Sequence, residues 1–110
     1  MTGKIQLIND EGQDLYKNRG YVYYSDTSFI VGDSPIVLDI KTDLGRDGVN
    51  GWIRCDGSGN ILVEISNNGT DYGTQYTLKS GEAENILGDR VSKIRLTHSG
   101  TDSAYRIRMI

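Results

Sequence analysis

The sequence predicts an all-β chain: an antiparallel β-sandwich, jelly-roll-like, built from about eight short strands. Three observations carry this reading. Apolar and polar residues alternate over residues 36–41 and 61–66, the period of a strand with one buried side. Clusters of Gly, Asn, Asp and Ser interrupt the chain at intervals of roughly 8–12 residues, as in sandwiches and barrels. No stretch of about ten residues carries an apolar stripe at helical spacing. The chain has 110 residues, enough for one modest core, so residues 1–110 are read as a single β-sandwich domain. Residues 1–20 are a docking arm or edge strand within it.

The elements follow in order. Residues 4–8 are apolar enough for a first strand, and residues 9–20 are a loop or one helical turn around Leu15 and Tyr16. Residues 21–24 are rich in aromatics, which favour strands. Residues 25–28 break that strand and residues 29–31 form another short one. In residues 36–41 Ile36, Leu38 and Ile40 share the inward face. Residues 42–51 hold three glycines and read as a long turn. In residues 52–56, Ile53 and Cys55 point inward while Trp52 and Arg54 point outward. Residues 56–60 turn the chain through Gly and Asn, and Ile61, Val63 and Ile65 then face the core. Asn67, Asn68 and Gly69 are a hairpin signal, since Asn-Gly suits the primed two-residue turns. Tyr76 and Leu78 return inward. Residues 84–89 cross between sheets. Ile94 and Leu96 line the inner face of the next strand, and Tyr105, Ile107 and Met109 that of the last.

Composition narrows function. The formal net charge is −3, whereas nonspecific grip on nucleic acid needs a basic surface; no nucleic-acid partner is expected. No apolar run approaches the ~20 residues that span a bilayer, so no membrane is expected, and no signal peptide is read at the N-terminus. Cys55 is the only cysteine, which rules out an internal disulfide and a multi-Cys metal site within one chain.

Catalytic and metal candidates are thin. His98, beside Ser99, is the only histidine. A triad further requires an orienting carboxylate and an oxyanion hole, and no residue pattern marks either. Cys55 falls on an inward face, where a free thiol behaves as a small hydrophobe. Asp43, Asp47 and Asp56 would form a calcium site if the fold brought them together, yet residues 56–60 lack the glycine and later glutamate of a calcium loop. Turn chemistry explains the same residues. Asn68-Gly69-Thr70 matches a glycosylation sequon that the Asn-Gly turn accounts for. No catalytic, cofactor-binding or metal-binding residue is assigned, and no cofactor.

The surface candidates are more informative. Tyr21 and Tyr23 share one face of their strand, and Trp52 pairs with Arg54 on the outside of another. Trp, Tyr and Arg are enriched in binding hot spots. Trp52 reads equally well as a core residue covered on both sides. From Arg90 to Ile110 there are five basic residues and one acid, Asp102. Lys93 and Arg95 face outward on one strand, Arg106 and Arg108 on the next. If those strands pair, four cations share one face, suited to an acidic partner or to self-association. The alternative is a solvated face that charge protects from edge aggregation. Tyr21, Tyr23, Trp52, Arg54, Lys93, Arg95, Arg106 and Arg108 are therefore the partner-interface candidates.

From Leu44 onward a series of motifs prompts a comparison. These are residues 44–48 (Leu-Gly-Arg-Asp-Gly), residues 51–53 (Gly-Trp-Ile) and residues 56–73, with Ser66-Asn67-Asn68-Gly69-Thr70. Residues 77–82, 93–97 and 103–107 complete the series. Together they resemble the small β-sandwich structural proteins of tailed-phage virions, the capsid-decoration and head-fibre or tail-associated modules. The resemblance implies a non-enzymatic virion protein made in the host cytoplasm. Such a protein binds the capsid lattice, or another virion protein, and copies of itself in a homo-oligomer such as a trimer. It implies no site to carry over residue by residue. Residues 2–24 are the preferred docking segment, since a terminal strand can add to a partner's sheet edge. The strand, Ser-Asn-Asn-Gly-Thr and aromatic hairpin is also shared with carbohydrate-binding sandwiches, so a glycan-binding module for host attachment is the alternative.

Overall fold

A computed structural model of the chain describes residues 20–27, 29, 32, 34–100 and 102–110. The expected strand over residues 4–8, the segment 9–19 and most of the docking segment 2–24 lie outside the described residues, as do residues 30 and 31 of the expected strand at 29–31. The described elements run β1 (Val22–Asp26), β2 (Ile36–Leu38), α1 (Ile40–Leu44), β3 (Gly48–Cys55), β4 (Asn60–Ser66), β5 (Tyr76–Leu78), β6 (Ala83–Val91), β7 (Lys93–Ser99) and β8 (Tyr105–Met109).

The strands form two four-stranded sheets, ordered β1-β8-β3-β6 and β2-β7-β4-β5. Every pairing is antiparallel. The order has a simple origin. Strands 1 and 8, 2 and 7, 3 and 6, and 4 and 5 pair as the two arms of one long hairpin. Winding that hairpin up adds the contacts of β3 with β8 and β4 with β7. This is the path of an eight-stranded jelly roll, and it bears out the sandwich read from the sequence.

Between the sheets lies one core. Val22, Ile53, Cys55, Ile86, Ile107 and Met109 enter it from one sheet, and Ile61, Val63, Leu78, Ile94 and Leu96 from the other. Phe29, Ile40, Leu44 and Val91 close its ends. Burying each large aliphatic side chain contributes about 1.5–3 kcal/mol. Ile53, Cys55, Ile61, Val63, Leu78, Ile94, Leu96, Ile107 and Met109 are inward as the alternation marks them, whereas Val22, Ile86, Leu44 and Val91 are core residues it does not mark.

Four features depart from the sequence reading. First, the strand expected over residues 36–41 stops at Leu38, and the expected turn opens with α1. The Asp39 carboxylate accepts from the Thr42 N–H at 3.2 Å as an N-cap, and Gly45, at φ 89°, ends the helix in the left-handed region. Ile40 keeps its inward place as a helical residue, so alternation alone does not reveal the change. Second, residues 84–89 do not cross between sheets. They are the middle of β6, an edge strand paired with β3, with Gly51 opposite Ile86 and Trp52 opposite Asn85. Third, residues 67–69 do not make a two-residue turn. The link from β4 to β5 spans residues 67–75, with the Asn68 carboxamide oxygen accepting from the Thr70 and Asp71 N–H groups, each at 2.8 Å. Fourth, β7 and β8 do not pair, because they belong to opposite sheets. The chain crosses between them through Ser103, whose N–H donates to the Phe29 carbonyl and whose hydroxyl donates to Asn60 O at 2.6 Å.

Candidate interaction surface on the outer sheet

The register of the β1-β8-β3-β6 sheet arranges its outer side chains in rows. Tyr23, Arg108, Trp52 and Asn85 lie opposite one another across the four strands. Ser25, Arg106, Arg54 and Ala83 make the next row. Tyr21 precedes β1 on the same side, and Leu87 faces Asn50 at the other edge. Six of the eight sequence candidates therefore gather on one face: Tyr21, Tyr23, Trp52, Arg54, Arg106 and Arg108.

This face is half open to water. Tyr23 is 42% and Leu87 76% exposed, while Trp52 is half-buried, intermediate between the core and anchor readings. The edge of Tyr23 meets Trp52 with ring centroids 6.3 Å apart. The guanidinium of Arg54 sits 5.1 Å over the Trp52 ring, and that of Arg108 4.7 Å over Tyr21. A guanidinium over an aromatic face gains quadrupole attraction and is partly immobilised in advance.

Arg54 and Arg106 stand directly opposite across β3 and β8, an arrangement that like charges disfavour. Asp56, next beyond β3, relieves half of it: its carboxylate accepts from Arg106 Nε at 2.6 Å and from Nη2 at 3.1 Å. That bond raises the tendency of Arg106 to stay protonated, with the Asp56 charge second. Among the described residues neither Arg54 nor Arg108 is paired with a carboxylate. Among the described residues the face thus sets three guanidiniums against one carboxylate, on a chain whose formal net charge is −3.

The other two candidates lie elsewhere. Lys93 and Arg95 are on β7, in the opposite sheet, so the four cations do not share one face. Arg95 is engaged within the molecule: it gives Nε and Nη2 to Glu64 at 2.9 and 3.0 Å and covers the Tyr72 ring at 4.0 Å. The Arg95 hydrogen bonds hold the Glu64 carboxyl below its ordinary range.

The remaining candidates are also separated. Asp43 accepts from the Tyr24 hydroxyl at 2.6 Å, tying α1 to β1, while Asp47 lies 3.5 Å from Arg90 and Asp56 holds Arg106. They do not converge on a common site. Among the described residues no group of three His, Cys, Asp or Glu side chains is arranged to hold a metal ion. Cys55 is buried in β3, its thiol 3.2 Å from Gly59 O, and burial pushes its pKa up. The His98 ring packs edge-on against Phe29 at 6.3 Å. Among the described residues no helix is long and apolar enough to cross a membrane.

Sequence reasoning missed three residues of the face. By sequence Asp56 is a turn residue or calcium candidate, and Asn85 and Leu87 belong to a crossing segment. Only the pairing of β3 with β6 and β8 brings them to the arginines, and pairing leaves no mark in the local sequence. No protein-family model, curated protein or solved structure matches this chain.

Proposed function

We propose that this chain is a non-enzymatic structural protein that docks onto another protein through the outer face of the β1-β8-β3-β6 sheet. The observation that carries this is the placement of Arg54 over Trp52 and Arg108 over Tyr21 on one half-open sheet surface. Trp, Tyr and Arg are enriched among the side chains that anchor protein interfaces, and the aromatic ones bury large areas with only two torsions to freeze. Tyr23 and Leu87 add apolar area beside them. The engagement of Cys55 and His98 in packing and local hydrogen bonding fits a role without chemistry.

The setting follows from the sequence resemblance alone: a tailed-phage virion, with the capsid lattice or another virion protein as partner and neighbouring copies of the chain beside it. The jelly roll is compatible with that setting but serves lectin domains as well. The glycan reading has less support on this face. A sugar stacks on an aromatic face, and guanidiniums already lie over Trp52 and Tyr21.

Co-sedimentation with purified particles tests the proposal. Wild-type protein is expected to pellet with the particles, and Trp52→Ala to remain largely in the supernatant. Protein that never pellets removes the docking reading, and glycan-array binding abolished by Trp52→Ala replaces it with the alternative.

A further inference from the structure

We infer that the surface received by this face is an acidic protein segment, and that Arg54 and Arg108 are the side chains that meet its carboxylates. This deepens the docking reading above and rests on it.

The first support is an unmet charge demand. Arg54 and Arg106 face each other across β3 and β8, with Asp56 bound in bidentate fashion to Arg106. A second carboxylate beside Arg54 would complete the arrangement that Asp56 begins. Arg108 stands one residue pair further along, opposite both Trp52 and Tyr23, and among the described residues it too has no carboxylate.

The second support is spacing. The Arg54 guanidinium lies over Trp52 of β3, and that of Arg108 over Tyr21 at the start of β1. With β8 between them, these places are two strand spacings apart, roughly 10 Å. One small anion does not bridge that gap, whereas a chain presenting several carboxylates does.

The third support is the company the arginines keep. Tyr23 and Leu87 offer apolar area that a protein segment covers and a bare polyanion leaves in water. A highly charged polyanion also meets repulsion from a chain of net charge −3, which a locally acidic protein surface meets far less. Guanidinium forks match carboxylates in paired geometry, and the two internal pairs, Arg95 with Glu64 and Arg106 with Asp56, adopt it.

Trp52 is the only tryptophan, so its fluorescence reads the face directly. The probe is a short peptide of alternating Glu and Ala, titrated into the full chain. Saturable change in Trp52 emission is expected, with affinity falling about tenfold as NaCl rises from ~0.1 to ~1 M. Arg54→Gln with Arg108→Gln should weaken binding at least tenfold, while Lys79→Gln, an exposed lysine away from this face, should not. Thermal melts check that the double variant is folded. Equal binding by the double variant overturns the inference, and so does heparin binding as tightly through the same two arginines. The two proposals separate in the particle assay. Particles that hold the double variant as well as wild type defeat the acidic-partner inference and leave docking intact. Arginine-dependent peptide binding without particle binding defeats the virion reading and leaves this one standing.

Discussion

Arg95 and Glu64 form a two-point ion pair across the centre of the β2-β7-β4-β5 sheet, facing each other in the β4–β7 register at 2.9 and 3.0 Å. Tyr72 roofs the pair. Among the described residues Arg54 and Arg108, on the other sheet, have no such carboxylate partner.

Glu64→Gln should lower the melting temperature at pH 7 by about 3 °C, the scale of a well-aligned but partly solvated ion pair. The sign with pH is fixed. Arg95 holds the Glu64 carboxyl below its ordinary 4.5, so its contribution is present above that value and is lost as the pH falls through the folded pKa. Melts of both proteins in steps below pH 4.5 should converge. A gap that persists in acid would show that the pair is not its source.

Tyr76 gives the opposite expectation. Its hydroxyl is buried and has no hydrogen-bond partner among the described residues. Desolvation, followed by the charge of Glu84, pushes its pKa up to about 12. An unsatisfied buried hydroxyl is costly, so Tyr76→Phe should leave stability unchanged or raise it by up to about 1 kcal/mol in urea unfolding. The raised pKa means the folded state holds this proton more tightly than the unfolded state. That contribution is complete below pH 10 and is lost as pH rises toward 12. The phenylalanine variant should therefore lose less stability than wild type across that window.

Gly51 lets the two strands beneath the candidate face approach closely. A methyl group there would meet the Arg108 carbonyl oxygen and the Met109 sulfur at less than contact distance. The carbonyl belongs to the adjoining strand, so the clash is not relieved by a rotamer change. Gly51→Ala is expected to cost roughly 3 kcal/mol, measured by urea unfolding, and to alter Trp52 emission in the folded protein.

Cys55 should be inert in the native state. It is buried, bonded to Gly59 O, and its pKa is raised chiefly by desolvation, whereas the thiolate is the reactive form. Ellman's reagent should label it only after denaturation; stoichiometric labelling of the folded protein would place the thiol outside the core.

What was legible follows from what each pattern encodes. Alternation marks a residue that points inward, and Ile53, Ile61, Val63, Ile94, Leu96, Ile107 and Met109 are all buried as the pattern requires. It is silent where a strand has no buried side. Along β6 only Ile86 and Val91 are buried, so the strand carries no alternation to read. It is also silent on partnership, because inward residues look the same whether β7 and β8 form a hairpin or lie in facing sheets. α1 is too short for a helical period and announces itself only through its ends, Asp39 and Gly45. The candidate face was half visible. Tyr21, Tyr23, Trp52 and the arginines stand out by type, but their convergence, and the removal of Lys93 and Arg95, come from strand order.

The rolled hairpin also predicts an order of assembly in time. Its innermost turn joins near neighbours, Ile61 with Leu78, and closing a short loop costs little entropy. The candidate face is built at the far end of the roll, where β1 meets β8, Val22 beside Met109, and β8 then meets β3. Pairings between such distant segments are slow to form. A chain that has formed only its inner hairpin has neither the Trp52–Arg108 nor the Tyr23–Arg108 juxtaposition. The candidate face is thus complete only once β1, β8 and β3 have paired, so on the docking proposal a partner would select the folded protein over its unfinished forms.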